Sequence, residues 1–332
     1  MKSEKISVVI PTYSPDIKML KRGLFSLMHQ SVKPDKVVVV ENGVIDPEVK
    51  EVVEGFNFKY IFNEESGANR ARNIGASVCG EGVLFFTDDD CELKHDCLEN
   101  HLRIHNQGKF LVGGKVDLNY LSPKPDWLVS NFEDMLAKLD WTPKGVIGHI
   151  DLDITNNRSN YLVSANMSIR SSTFYENGEF SESDGYKGKK LLSPNDEMLL
   201  LENCRISEDT RIVFSSSCVV KHNIPEERTT EEFMYRRFYG QGVADAKLSV
   251  KSPHLKFIDP PVDPTDYDTI VTNTLLKQTV WSDYYFKLKD KVLTGDKITD
   301  REITRVYMMC YCQYISGVKD FLIDMVSTDG SL

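Results

Sequence analysis

Residues 83–91 read VLFFTDDDC, an apolar run that ends in three adjacent carboxylates, Asp88, Asp89 and Asp90. Like charges held this close repel one another, so something must offset the cost. A hard divalent cation is one such partner, because it takes carboxylate oxygens as ligands. A solvated acidic turn is the alternative, and three acids by themselves do not separate the two. Two further runs end in polar groups. KISVVIP (5–11) leads into Pro11-Thr12-Tyr13, and KVVVVE (36–41) into Glu41-Asn42-Gly43.

The elements that position these groups follow from periodicity. The runs at 5–11, 36–41, 58–62, 82–87 and 110–118 are short, apolar and rich in β-branched or aromatic residues, as buried strands are. Between them, 16–30 places Leu20, Leu24 and Leu27 on one helical face. Segments 47–55, 67–79 and 94–107 also suit helices. Continuous apolar strands alternating with helices imply an α/β fold whose mostly parallel sheet is covered on both faces. Such sheets bind ligands at the carboxyl ends of their strands, so the three polar ends should converge on one edge.

Composition narrows the function. The 332 residues carry a net charge of −10 with no dominant basic stripe, which argues against nucleic acid as partner. The apolar run Ile6–Ile10 is too short for a signal-peptide core and is followed by Pro11. No stretch reaches the roughly 18 apolar residues of a membrane span; VYMMCYCQYISGV (306–318) is too short and carries Gln313. Seven cysteines without paired CxxC spacing read as free thiols of a cytoplasmic protein rather than a zinc site. No GxGxxG and no GxxxxGK[ST] follows the first strand. The PTYSPD stretch lacks the Gly-rich basic loop of a sugar-nucleotide pyrophosphorylase. What remains is a parallel sheet that binds a phosphorylated ligand through a metal.

The ordered stretches ISVVIPTYSPD (6–16), VVVVENG (37–43), GANRARNIGA (67–76), FFTDDDC (85–91), YLVSANMSIRSSTF (161–174), PNDEMLL (194–200), VVKHNIPEERT (219–229) and RRFYGQG (236–242) resemble glycosyltransferase family 2. The likeness covers roughly residues 5–245. It implies a GT-A domain, a Rossmann-like sheet flanked by helices, over 1–245, with a helical C-terminal extension over 246–332. It also implies inverting transfer from a nucleotide-sugar, usually a UDP-sugar, assisted by Mn²⁺ or Mg²⁺. Carried over residue by residue, Pro11, Thr12 and Tyr13 border the nucleobase, and Glu41 stands where the family has Asp to read base or ribose. Asn69 and Arg72 (with Asn73) face the donor, Arg72 as a base or phosphate contact. Asp88 and Asp90 match the DxD pattern, with Asp88 toward ribose, sugar or metal and Asp90 on the metal. Asp89 touches the donor sugar, and His222 is the further metal ligand. Asp196 is the implied catalytic base that deprotonates the acceptor hydroxyl, with Glu197 as fallback. Ser193-Pro194-Asn195-Asp196 equally reads as a capped helix start, with Asp196 at N3.

The polar stretch 119–160 holds Trp127, Trp141, Asp151 and Asp153, suited to closing over an acceptor or to packing. Asn166 falls inside an expected strand and, by the resemblance, lines the sugar side. Arg236 and Arg237 face the diphosphate or solvent. Residues 253–268 read as a proline-rich wrap, followed by two amphipathic helices that pack on the catalytic domain, dimerise, or dock on a membrane bearing a lipid-linked acceptor. The expected partners are therefore a nucleotide-sugar donor and a glycan, lipid-linked or other glycoconjugate acceptor of polysaccharide biosynthesis. Two alternatives stay open: a catalytically silent sugar-nucleotide-binding or assembly module of the same fold, and a nucleotidyltransferase.

Overall fold

The structure is a computed structural model, and it describes residues 4–182, 185–187, 190–193, 197–207, 209–251 and 301–327. In chain order the elements are β1 (Ile6–Thr12), α1 (Ile17–Met28), β2 (Lys36–Asn42), α2 (Pro47–Gly55), β3 (Lys59–Asn63), α3 (Ala68–Cys79), β4 (Val83–Phe86), β5 (Cys91–Leu93), α4 (Cys97–His105) and β6 (Phe110–Tyr120). Then come α5 (Ser130–Glu133), β7 (Asp151–Asp153), β8 (Met167–Arg170), α6 (Ser171–Glu176), β9 (Gly185–Lys187), β10 (Lys190–Ser193), α7 (Met198–Ile206), β11 (Arg211–Ile224), α8 (Glu231–Lys251) and α9 (Arg301–Ser327). The chain forms two compact units. One comprises 1–121, 136–190 and 196–224; the other comprises 122–135, 191–195 and 225–332. The last change of unit along the chain falls at 224/225, and α8 runs through position 245.

The first unit is built on a sheet of order β3-β2-β1-β4-β8-β6-β11-β5, with β7 paired to β11. β3, β2, β1 and β4 are mutually parallel. Alternation sends their apolar residues to both faces. Val8, Ile10 and Val39 join α1, α2 and α4 in one core, while Val9 and Val40 meet Gly75 of α3 on the other side. Leu20, Leu24 and Leu27 of α1 are fully buried, as their spacing predicts. Asp16 caps α1 by accepting from the amides of Lys18 and Met19, and Asp46 with Pro47 starts α2. Beyond β4 the sheet is mixed rather than mostly parallel. β8 is antiparallel to both β4 and β6, and β5 is antiparallel to β11. Strand direction there is free because β8 and β5 arrive through irregular segments, not through the helical crossovers that enforce parallel pairing.

Two local expectations shift. Residues 164–166 form a 3-10 turn, and β8 begins only at Met167, so Asn166 lies outside the strand. α7 begins at Met198 with Glu197 in the N-cap position, beyond the Ser193-to-Asp196 start read from the sequence. The proline-rich wrap and the first of the two C-terminal helices lie outside the described residues. The second is α9.

In the second unit, Glu231 in the first turn of α8 pairs with Arg305 in the second turn of α9. Eleven or twelve residues later, Gly242 meets Gly317, so the helices run in the same direction. A Cβ on Gly242 would sit 2.0 Å from the Tyr314 carbonyl oxygen, and one on Gly317 2.1 Å from that of Tyr239. The Tyr239 hydroxyl donates to Asp320 (2.9 Å), and the Tyr314 hydroxyl to Asp245 (2.8 Å). These reciprocal contacts come from a repeat that is visible in the sequence, YGQGVAD (239–245) and YISGVKD (314–320). The repeated Tyr, Gly and Asp are thereby engaged within the chain. Phe132 packs against Phe238 and Tyr307, and Trp127 lies edge-on to Phe132. The Arg237 Nε donates to the Met135 carbonyl, so this arginine is tied to the protein backbone.

Candidate active site

In the order β3-β2-β1-β4 the chain reverses its direction of growth between β1 and β4, the switch point at which such sheets bind ligands. Thr12 ends β1, and Asp88–Asp90 follow β4. The Thr12 hydroxyl donates to the Asp89 carboxylate, which spans that switch point. The three adjacent acids do not share one partner. Arg72 of α3 donates to Asp88 Oδ1 at 2.8 Å, and Asp90 Oδ2 lies 3.2 Å from the Nε2 of His222 on β11. Fanning the carboxylates toward three different elements separates their charges and gives each its own polar neighbour.

Arg72 is held in turn by Asn69 Oδ1 at 3.0 Å and lies over the Phe180 ring. Asn69 and Asn73 both bond the 180–181 backbone, so this face of α3 anchors that segment. Tyr13 is half-buried. Its ring crowds Gly43, where φ is +82° and a Cβ would sit 2.9 Å from Cε2, so glycine is required there. Pro11 is buried within β1. Glu41 is fully buried, and its two oxygens are engaged: Oε2 accepts from the Tyr60 hydroxyl at 2.5 Å and Oε1 from the Asp46 amide at 3.0 Å. Burial pushes the Glu41 carboxyl up, and these two bonds oppose that rise. Glu41 therefore fastens β2 to β3 and to the start of α2. The longer side chain that replaces the expected Asp makes this reach.

Asn42 was not singled out from the sequence, although it stands in the quoted Glu41-Asn42-Gly43 run. Its Nδ2 donates to the Thr12 carbonyl (2.7 Å) and its Oδ1 accepts from the Gly67 amide (2.8 Å), tying the ends of β1 and β2 to the start of α3. Asn166 is fully buried and holds the carbonyls of Lys115 and Cys218 at 2.9 and 3.0 Å, across β6 and the irregularity in β11. Its amide nitrogen serves the sheet, not a sugar. Trp141 donates to the Tyr161 carbonyl and lies edge-on to that ring. Asp151 and Asp153 are bound by Arg103 and Arg211. Trp141, Asp151 and Asp153 are thus engaged within the chain. Asp196 lies outside the described residues. Glu197 is buried and makes no side-chain capping bond.

The residues beside Asp90 suit a divalent cation. A carbonyl only accepts, so His222 Nδ1 must donate its hydrogen to the Leu136 carbonyl at 2.8 Å. In the neutral ring this leaves the Nε2 lone pair facing Asp90, the tautomer and orientation of a metal-ligating histidine. Cis ligands about 2.1 Å from an octahedral Mg²⁺ lie about 3.0 Å apart, close to the observed 3.2 Å. An oxygen and an imidazole nitrogen also fit Mn²⁺. Among the described residues no group of three or more His, Cys, Asp or Glu side chains is placed to hold an ion alone. Asp90 and His222 are together, while Asp88 is held by Arg72.

Comparison with known proteins bears on the same region. The family model described as glycosyl transferase family 2 matches residues 7–192, more than half of the chain. A protein of Haloferax volcanii called glycosyltransferase AglE is 32% identical over 124 residues, covering 35% of this chain and 40% of its own. Glycosyltransferase GlyA of Streptococcus pneumoniae serotype 4 is 28% identical over 123 residues, 35% of this chain and 17% of its own. The matched stretch therefore spans less than half the length of either relative. Over the described residues no helix is long and apolar enough to cross a membrane. With a family match over 7–192 and a central mixed sheet flanked by helices, the chain belongs to glycosyl transferase family 2.

Proposed function

We propose that this protein is an inverting, metal-dependent glycosyltransferase. It moves a sugar from a nucleotide-sugar, first of all a UDP-sugar, to a hydroxyl of a glycan or glycoconjugate acceptor in polysaccharide biosynthesis. The observation that carries this reading is the Asp90–His222 pair, 3.2 Å apart, beside the switch point closed by Thr12 and Asp89. In the proposed reaction the acceptor oxygen forms a bond to the anomeric carbon while the bond from that carbon to the diphosphate oxygen breaks. The nucleoside diphosphate leaves with the electron pair. Asp196, assigned by the resemblance, takes the acceptor proton. Tyr13 offers a ring for the flat base, and Arg72 steadies Asp88 toward the ribose or sugar. A divalent cation held by Asp90 and His222 would supply stabilisation of the negative charge that develops on the departing diphosphate.

The test is calorimetric titration of UDP with Mn²⁺, with EDTA, and with the Asp90→Ala variant. Binding that needs Mn²⁺ and is lost in Asp90→Ala is expected. Equal affinity with Mn²⁺ and with EDTA removes the metal from the reading, and equal affinity in Asp90→Ala moves the metal elsewhere.

A further inference from the structure

Asp90 and His222 come from elements 132 positions apart in the chain, yet one residue beside them fixes both. Asn223 follows His222 on β11 and is fully buried. Its backbone amide donates to the Asp90 carbonyl at 2.9 Å, and its side-chain Nδ2 donates to the same carbonyl at 3.0 Å. The second Nδ2 hydrogen goes to Glu92 Oε1 at 2.9 Å, and Oδ1 accepts from Asn119 Nδ2 at 2.6 Å. Asn223 thus sits where β5, β6 and β11 meet, with three of the four hydrogen-bonding capacities of its amide used on this junction.

The geometry consequence is specific. Two donors on one carbonyl fix the Asp90–Cys91 peptide plane, and that plane sets where the Asp90 side chain begins. The same residue is bonded directly to His222, whose ring is locked by the Leu136 carbonyl. The carboxylate of Glu92 strengthens the bond that orients the Asn223 amide. An aliphatic residue at 223 would keep the backbone bond of β5 to β11 and lose the side-chain brace on Asp90.

We infer that Asn223 is a positioning residue that holds Asp90 and His222 at ligand spacing for a divalent cation. The inference rests on the metal-assisted reading given above. It is tested by titrating Mn²⁺ into the full chain, followed by electron paramagnetic resonance, for wild type, Asn223→Ala and Asn119→Ala, and by measuring UDP binding across the same Mn²⁺ range. Outer partners of metal ligands are typically worth about 10- to 100-fold in metal affinity. Asn223→Ala is expected to weaken Mn²⁺ by that factor, with UDP binding recovering once Mn²⁺ is raised in proportion. Asn119→Ala, which removes only the bond to Oδ1, shifts Mn²⁺ affinity the same way by less, and tests the inference should Asn223→Ala not fold. Wild-type Mn²⁺ affinity in either variant overturns the inference, as does UDP binding that stays depressed at saturating Mn²⁺, which marks general loosening. Failure of the wild-type protein itself to bind Mn²⁺, with or without UDP, overturns the functional reading and this inference with it.

Discussion

The first unit buries histidines in two settings with opposite chemistry. On β11, His222 has one nitrogen committed to the Leu136 carbonyl and the other aimed at Asp90. On α4, His101 and His105 lie in the core, and their hydrogens can be placed by logic. Asn166 Nδ2 donates to two carbonyls, so Asn166 Oδ1 must accept from His101 Nε2 at 3.0 Å. His101 Nδ1 is then an acceptor and takes the Ser168 hydroxyl hydrogen at 2.7 Å. Ser168 Oγ in turn accepts from His105 Nε2 at 2.8 Å, which leaves His105 Nδ1 as a buried lone pair with no partner. Burial pulls His101 down to about 4 and His105, with His101 as an added cause, to about 3. A buried histidine becomes a candidate ligand not through burial but through what its second nitrogen faces. For His222 that is a carboxylate; for His101 and His105 it is a closed or blind end.

Replacing both kinds by glutamine gives the largest contrast. His222→Gln is expected to weaken Mn²⁺-dependent UDP binding by at least about 100-fold and to shift the melting temperature little. His101→Gln should do the reverse, costing roughly 2–4 kcal/mol in urea unfolding, because it breaks a buried network. Matching binding losses in the two variants would erase the distinction. A smaller effect is the pH dependence of unfolding. The core histidines titrate near 6.5 when unfolded and near 4 and 3 when folded. Between those values the unfolded chain binds protons that the folded chain refuses. Stability should therefore fall as pH drops below about 6.5, by up to about 1.4 kcal/mol per pH unit for each histidine, with no contribution from them above it. Denaturant midpoints from pH 7 to 5 that do not move would mean that these rings titrate normally. The smallest effect is expected for His105→Phe. The substitution gives up the Nε2 bond to Ser168 but also removes the buried, unpartnered Nδ1, and these two changes oppose each other. Stability at pH 7 should therefore change by only about 1 kcal/mol, while one histidine's share of the acid slope disappears.

Much of the scaffold was legible because its signals are local. The apolar runs of β1, β2 and β4, the leucine stripe of α1 and the Asp46-Pro47 start of α2 each depend on neighbours within a few residues. So does the placement of Thr12 and the acidic run at strand ends, and their convergence followed from the sheet rule. Less was legible wherever a side chain's partner lies far along the chain. Glu41 read as a base or ribose contact, and its bonds to the Tyr60 hydroxyl and the Asp46 amide could not be read from its neighbours in the sequence. Asn166 read as a sugar contact until it was found bridging β6 and β11. The Tyr-x-x-Gly-Val-x-Asp repeat was present in the sequence, but its meaning needs two helices crossing at their glycines.

By itself the sequence determined that an apolar strand must end in three carboxylates, and that strands of this kind, spaced by helices, bring such ends to one edge. Periodicity and charge are properties of short stretches, so folding cannot change them. Only the tertiary structure decided which carboxylate meets Arg72, which Thr12 and which His222, at sequence separations of 16, 77 and 132. Identical acids are told apart by direction, and direction is set by the register of β11 against β5 and by the packing of α3, neither of which any local pattern encodes.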